Sequence, residues 1–195
     1  TQDQKYFYIA DVGNNIGIRD TFTIYRIKKA LFGENQIIDS DKIRFLYPEK
    51  DSLSDNHIDI FYDCEAVISI QDSIWLFTKN RKDKKSLIYK VPAKPGFHEA
   101  KLTNQLDPEM LVTGSYYDPA YSLLYLLGNQ RFIPSIVIYK MSGINKIEKQ
   151  ARITYWNRAG LQTEGIVGDY QGMLYLSFEK SRKDQGLLIM PKPGE

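Results

Sequence analysis

Short runs of alternating apolar and polar residues recur along the whole chain, and four of them share one pattern with an aromatic residue at the centre. Because successive side chains of a strand point to opposite faces, such alternation is typical of β-strands packed in sheets. Stretches with apolar residues at three- and four-residue spacing, which would predict helices, are scarce. The four similar segments are residues 6–10, 73–77, 123–127 and 173–177.

The central aromatic residues of these segments repeat at a regular distance. Trp75, Tyr125 and Tyr175 are spaced 50 residues apart, and a second strand pattern follows each of them. Tyr8 precedes Trp75 by a longer step, because residues 48–56 have the composition of an inserted polar loop. Four strands in every 40 to 50 residues or so is the spacing of a β-propeller blade.

We therefore predict an all-β chain that forms a single β-propeller domain of four-stranded blades, with units at about residues 1–47, 58–106, 110–156 and 161–195. Neighbouring blades bury one another's faces, so the central aromatic side chains are expected to pack between blades. The first unit lacks an innermost strand pattern and the last lacks an outer one. We expect part of a five- or six-bladed propeller; the alternative is a four-bladed ring whose ends complete each other's blades.

Composition excludes several classes of protein. The 195 residues carry 26 Lys and Arg against 24 Asp and Glu, a net charge of +2, whereas a dedicated nucleic-acid binder normally has a strong basic excess. Mean hydropathy is −0.40, and no apolar run approaches the roughly 20 residues of a transmembrane helix. The single cysteine, Cys64, excludes an internal disulfide framework, and His57 and His98 are too far apart in sequence for metal-ligand spacing.

Several segments resemble an uncharacterised family of bacterial secreted β-propeller proteins, and they also look like the propellers of the SdiA-regulated and phytase-like esterase groups. The resemblance implies an exported propeller with five or six blades. The chain departs from the family in lacking a Trp-Glu-Asp inner strand ahead of Tyr8, and in having residues 113–116 where an acidic motif is expected. The segments that carry the resemblance are residues 8–15 with Arg19, 24–26, 63–66, 77–81 and 163–166.

Acidic residues at the starts of the predicted inner strands form the first candidate site. Inner strands line the central channel of a propeller, so Asp63, Glu65 and Glu164 are expected to converge at one mouth of it. Carboxylates gathered in this way are ligands that Ca²⁺ or Mg²⁺ prefers, and they are also able to act as a general acid and base. The other interpretation is that they only accept hydrogen bonds from backbone N–H groups of the neighbouring blade. Thr113, Ser115 and Gln162 are expected beside them.

Two loop features add candidates. Residues 11–17 combine Asp, Asn and Gly, which suit either tight turns or calcium, but Ile16 stands where an EF-hand loop needs glycine. Arg81 and Arg131 each fall six residues after the aromatic residue of their strand, with Arg182 and Arg19 in corresponding loops. On one rim these guanidinium groups would bind carboxylate or phosphate; otherwise they belong to solvated hairpin loops.

The sequence therefore predicts an exported binding or scaffold module that recognises a small molecule or protein partner at the channel mouth, without nucleic acid. The alternative is a Ca²⁺-dependent hydrolase of the lactonase, phytase or esterase type, with Glu65 and Glu164 holding the ion. No nucleophile elbow or phosphate loop is present, and Cys64 is expected to be inert packing. A hydrolase should show a tight carboxylate cage, whereas a binding module should show a rim lined by aromatic or arginine side chains.

Overall fold

The computed structural model describes residues 1–31, 38–48, 62–143, 146–179 and 185–193. Within them the chain is almost entirely β-strand, with two single-turn 3-10 helices, Lys29–Leu31 and Trp156–Arg158. No helix in this part of the chain has the length and apolar character that crossing a bilayer requires. The strands are β1 (Tyr6–Asp11), β2 (Phe22–Lys28), β3 (Asp41–Leu46), β4 (Cys64–Ile70), β5 (Ser73–Thr78), β6 (Ser86–Pro92), β7 (Gly96–Glu99), β8 (Lys101–Leu106), β9 (Leu111–Asp118), β10 (Leu123–Gln130), β11 (Ile133–Met141), β12 (Ile147–Thr154), β13 (Gln162–Gly168), β14 (Met173–Glu179) and β15 (Gly186–Pro191).

These strands form four sheets that are the blades of a β-propeller, which confirms the predicted fold class. Sheet 1 has the order β1–β2–β3–β7, sheet 2 β4–β5–β6–β8, sheet 3 β9–β10–β11–β12, and sheet 4 β13–β14–β15. The inner strands β4, β9 and β13 contact one another in that order. In sheet 1 the position inside β1 is taken by the first residues of the chain, through a bridge between Gln2 and Phe7. Sheets 1 and 4 share no strand among the described residues.

Sheets 2 and 3 are packed between two neighbouring sheets and are apolar on both faces. We call the face that carries the central aromatic residue the front and the opposite face the back. Three buried clusters join the front of one sheet to the back of the next: sheet 1 to sheet 2, sheet 2 to sheet 3, and sheet 3 to sheet 4. Tyr8, Trp75 and Tyr125 are buried in these clusters, as predicted. Tyr175 also faces front but is only half-buried.

One strand departs from the predicted blade units. Gly96–Glu99, which the repeat pattern places in the second unit, pairs in parallel with β3 of sheet 1. The chain then returns to sheet 2 through β8, and the Ala100 N–H donates to the Leu46 carbonyl at 2.9 Å. An exposed outer strand is a template for unwanted pairing, so β7 covers the edge that β3 would otherwise present.

Candidate functional site

The predicted acidic residues lie at the end of the propeller that carries the β1–β2, β5–β6 and β10–β11 loops. We call this end the hairpin rim; it consists of residues 12–21, 79–85, 131–132 and 155–161. The starts of β4, β9 and β13 reach the same end, because each inner strand pairs antiparallel with the strand that leads into a hairpin loop. The structure thus places Asp63, Glu65 and Glu164 at one mouth of the channel, as the sequence predicts.

Asp63 joins the first two sheets. Its side chain is fully buried; Oδ1 accepts a hydrogen bond from the Asn14 N–H at 2.8 Å, and Oδ2 accepts one from the Arg81 guanidinium at 3.3 Å. The two hydrogen bonds come from loops of two different sheets, β1–β2 and β5–β6. A buried carboxylate with both oxygens satisfied in this way is what the interpretation as a structural clamp requires.

The loop at residues 11–17 is held by its own hydrogen bonds. Arg19 binds the Asp11 carboxylate with both terminal nitrogens, at 2.7 and 3.0 Å. The Asn14 side chain accepts from the Arg19 N–H, and the Gly17 N–H, at a residue with φ 72°, donates to the Asn14 carbonyl. The Asp11 and Asn14 side chains and the turn at Gly17 are thus engaged within the loop, as the interpretation as a tight turn requires.

Glu65 and Glu164 have different surroundings. Glu65 is paired with the Lys79 ammonium at 2.7 Å, and both side chains are largely buried. Glu164 is exposed, yet its pKa is raised, first by partial burial and then by the negative charges of Glu179 and Glu65. Glu164 therefore lies close enough to Glu65 for the Glu65 charge to raise its pKa, as expected for side chains at one mouth of the channel.

Two of the three candidate carboxylates are paired within the protein. Asp63 accepts hydrogen bonds from two N–H donors, and Glu65 is paired with the Lys79 ammonium. In the part of the chain that the structure describes, no group of three or more His, Cys, Asp or Glu side chains is arranged to hold a metal ion. Calcium binding by Asp63, Glu65 and Glu164 stays a prediction, which melting temperatures in calcium and in chelator would test.

Replacing Glu164 by glutamine should change how stability depends on pH. Because its folded pKa lies above its ordinary value of 4.5, the folded state holds the proton more tightly, and stability falls as pH rises through that window. Glu164→Gln should raise the free energy of unfolding near neutral pH, by less than about 1 kcal/mol because the side chain is exposed. Urea denaturation at pH 4 and pH 7 measures this, and high salt should shrink the gain.

Two of the candidate arginine side chains, Arg19 and Arg81, are engaged in contacts within the protein. Arg81 donates to the Asn15 side chain as well as to Asp63, and Arg19 is committed to Asp11. Arg131 lies in the β10–β11 turn with φ 51°, followed by Phe132 with φ 63°. Two positive φ values are the geometry of a type I′ hairpin turn, normally occupied by Asn-Gly. Arg182 lies outside the described residues.

The polar residues of β9 sit where two inner strands approach closely. A Cβ added at Gly114 would lie 3.2 Å from the Gly165 Cα, so β9 and β13 pack backbone to backbone there. The hydroxyl oxygens of Thr113 and Ser115 are buried and have no hydrogen-bond partner among the described residues. Gln162 is exposed at the start of β13. Ser115 lines the central cavity described below, and its role in ligand binding stays a prediction.

The cysteine and the two histidines have the following surroundings. Cys64 is buried, and burial raises the pKa of its thiol to about 12, which fits inert packing. His98 contacts the Lys94 carbonyl through Nε2 at 2.8 Å, and His57 lies outside the described residues.

Sequence reasoning missed the large apolar side chains on the hairpin rim. Phe132 is 75% exposed and Trp156 72% exposed, and the loops that carry them are tied together by the Gly160 N–H, which donates to the Phe132 carbonyl at 2.8 Å. Ile16 and Ile18 are also exposed, in the β1–β2 loop. In the sequence Phe132 directly follows Arg131, and Arg158 lies two positions after Trp156.

A central cavity of about 1310 Å³ was also missed. It is lined near the opposite rim by the ends of β4, β9 and β13 and by the first residues of the chain, including Tyr6, Tyr8 and Arg26. Two of its basic groups are engaged within the protein. Arg26 pairs with Asp41 at 2.7 Å and stacks over the Tyr6 ring, and the Lys29 ammonium lies over the Phe7 ring. The candidate carboxylates lie at the other end of the channel.

No protein-family model matches the chain, and no curated protein matches it. Among solved structures, it is similar to a chain described as "Crystal structure of Nidogen/Laminin Complex", with 13% sequence identity and a TM-score of 0.48. The match covers 95% of this chain and 61% of that one, so this chain spans less than two thirds of that protein's length. A likeness at this level transfers no function, and the propeller architecture rests on the four sheets described above.

Proposed function

We propose that the chain is a binding module that recognises a protein partner through the hairpin rim. The observation that carries the proposal is that Phe132 and Trp156 project into solvent there, while Asp63 and Glu65 are paired internally. An aromatic and arginine rim without a carboxylate cage is the arrangement that distinguishes a binding module from a metal-dependent hydrolase. Export of the protein, a bacterial origin, and the absence of nucleic-acid partners stay predictions.

The chemistry of the rim favours a partner segment with apolar side chains flanked by carboxylates. Arg131 precedes Phe132, and Arg158 follows Trp156 by two positions; both arginines are exposed. Tryptophan and arginine are enriched among the residues that contribute most to protein interfaces, because they combine a large contact area with hydrogen bonding. Guanidinium groups around an apolar centre would bind the carboxylates in a bidentate manner.

Panning a library of displayed random peptides against the protein tests this proposal. The enriched peptides should be acidic and apolar, and Trp156→Ala should weaken their binding at least about tenfold by titration calorimetry. Tyr170→Ala is a matched control, because Tyr170 is 95% exposed but lies on the opposite rim. Equal binding to both variants, or no enrichment over scrambled sequences, would contradict the proposal.

A further inference from the structure

Lys90 holds its ammonium group against the core. It lies on β6 directly opposite Trp75 of β5, so the two side chains share the front face of sheet 2. The Lys90 ammonium nitrogen is 3.5 Å from the centre of the Trp75 ring, and Trp75 itself is only 3% exposed. The ring belongs to the buried cluster between sheets 2 and 3. The charge of the half-buried Lys90 therefore lies at the edge of an apolar cluster, where water solvates it incompletely.

No carboxylate is paired with Lys90 in the part of the chain that the structure describes. Two other lysine side chains with little exposure each have such a partner, Lys79 at 2.7 Å and Lys192 at 2.6 Å. Among the described residues the Lys90 ammonium has neither an ion pair nor a hydrogen bond, and it contacts the Trp75 ring instead. A ring face attracts an ammonium group more weakly than a buried carboxylate does.

The charged side chains that face Lys90 from neighbouring strands do not supply a carboxylate either. Lys101 lies directly across from it on β8 and is exposed. The back of sheet 3, which packs against this face, carries Lys149 and Arg152 on β12. Both are paired with Glu109, whose carboxylate is thereby engaged. Within the described ranges, Lys90 is therefore surrounded by apolar groups and by other cations.

These surroundings favour the neutral amine over the ammonium form. Burial lowers the pKa of Lys90 from its ordinary value of 10.5 to about 8. At pH 7 about one Lys90 side chain in ten would then be uncharged, against about three in ten thousand for an ordinary lysine. A lysine that is desolvated in this way is a nucleophile near neutral pH, because only the uncharged amine has a lone pair with which to attack.

We propose that Lys90 is a covalent modification site that reacts with small aldehydes. The neutral amine nitrogen adds to the carbonyl carbon, and the resulting carbinolamine loses water to form an imine. The carbonyl oxygen leaves in that water together with the two amine protons, so no oxidant or reductant is needed. An aldehyde suits the site because water is the only leaving group and because the imine is uncharged beside the Trp75 ring. The site is separate from the hairpin rim, and its chemistry does not depend on the proposed function.

Trapping the imine with cyanoborohydride tests the proposal. The folded chain at pH 7 is given propionaldehyde in an amount below that of its lysines, and the modified peptides are identified by mass spectrometry. Lys90 should be modified at least about tenfold faster than Lys29. Lys29 is a matched control in the same molecule. Its ammonium also lies over an aromatic ring, that of Phe7 at 5.0 Å, but its charge interacts with the Asp3 carboxylate.

Two substitutions at Lys101 show whether the missing carboxylate makes Lys90 reactive. Lys101→Glu places a carboxylate across from Lys90 and should slow its modification at pH 7 at least about threefold, because the negative charge favours the ammonium form. Lys101→Gln should change the rate less than about twofold. Lys101 is exposed, so both variants should keep the melting temperature of the unaltered chain.

The dependence of the rate on pH is the second readout. Modification of Lys90 should level off above about pH 8, where its amine is already uncharged, whereas modification of Lys29 should continue to rise. Equal rates at Lys90 and Lys29 would overturn the proposal. It would also be overturned if Lys101→Glu left the Lys90 rate unchanged, or if the two lysines rose in parallel up to pH 10 or so.

Discussion

Replacing Lys192 by methionine should lower the free energy of unfolding by about 3–5 kcal/mol, the usual cost of removing one partner of a buried ion pair. Lys192 follows β15 of sheet 4, and its ammonium donates to the Asp118 carboxylate of sheet 3 at 2.6 Å and to the Asp169 carbonyl at 2.7 Å. The side chains of Lys192 and Asp118 are only 7% and 5% exposed. The variant would leave the Asp118 charge buried with no cation beside it, and equilibrium denaturation in urea measures the loss.

Two further measurements show whether the lost ion pair causes the loss of stability in Lys192→Met. Lys140→Met is the matched control, because the Lys140 ammonium also donates to a carbonyl, that of Tyr121 at 2.7 Å, but at an exposed position; its effect should stay within about 0.5 kcal/mol. Burial opposes the charge on Lys192 and is the largest single influence on it, yet the hydrogen bonds and charges of Asp118 and Tyr116 together outweigh burial and raise the pKa. The contribution should therefore persist to alkaline pH and disappear as pH rises through that raised pKa. Similar losses for both lysine variants would contradict this account.

Gly128→Ala should destabilise the protein by about 3 kcal/mol or more. A Cβ at Gly128 would lie 2.2 Å from the Leu111 carbonyl oxygen and 2.9 Å from its carbon, both in the backbone of the neighbouring strand β9. The pairing of β9 with β10 shifts register at this point, which brings the two backbones together. A backbone atom cannot rotate away as a side chain does, so β9 and β10 would have to separate.

Gly13→Ala is the control for the clash at Gly128. A Cβ at Gly13 would meet only the Asp63 Oδ1, at an ordinary 4.0 Å, so its effect should stay below about 1 kcal/mol. The melting temperatures of both variants, measured by circular dichroism, test this prediction. If Gly128→Ala melted within a few degrees of the unaltered protein, the close approach of the two strands would have to be wrong.

The strands and their faces could be predicted because alternation is a local property of the sequence. Tyr8, Trp75 and Tyr125 pack between blades as their spacing suggested. Gly96–Glu99 could not be placed in the same way, since it pairs with β3, a strand about 50 residues earlier in the chain. The segment is polar and contains glycine, and its residues do not indicate which sheet edge it will pair with. The pairing partner depends on which strand edge lies nearby once sheets 1 and 2 are packed together.

The candidate site shows the same limit. Sequence spacing was sufficient to bring Asp63, Glu65 and Glu164 to one end of the channel, because their strands are equivalent in the repeat. Whether a carboxylate is free for a ligand depends on donors that are remote in sequence, and the Asn14 N–H that binds Asp63 is 49 residues away. The exposed Trp156 lies in a loop between repeats, where the periodic pattern makes no prediction about burial.

The exchange of β7 between sheets 1 and 2 also affects how the molecule comes apart. Two neighbouring blades that are held together only by side-chain packing can separate without breaking any backbone hydrogen bond. Sheets 1 and 2 are in addition joined by the β3–β7 hydrogen bonds and by two crossings of the chain, on either side of β7. Sheet 4 has no such strand exchange among the described residues. We therefore expect the first two sheets to unfold as one cooperative unit, whereas the fourth should detach when side-chain contacts alone are broken.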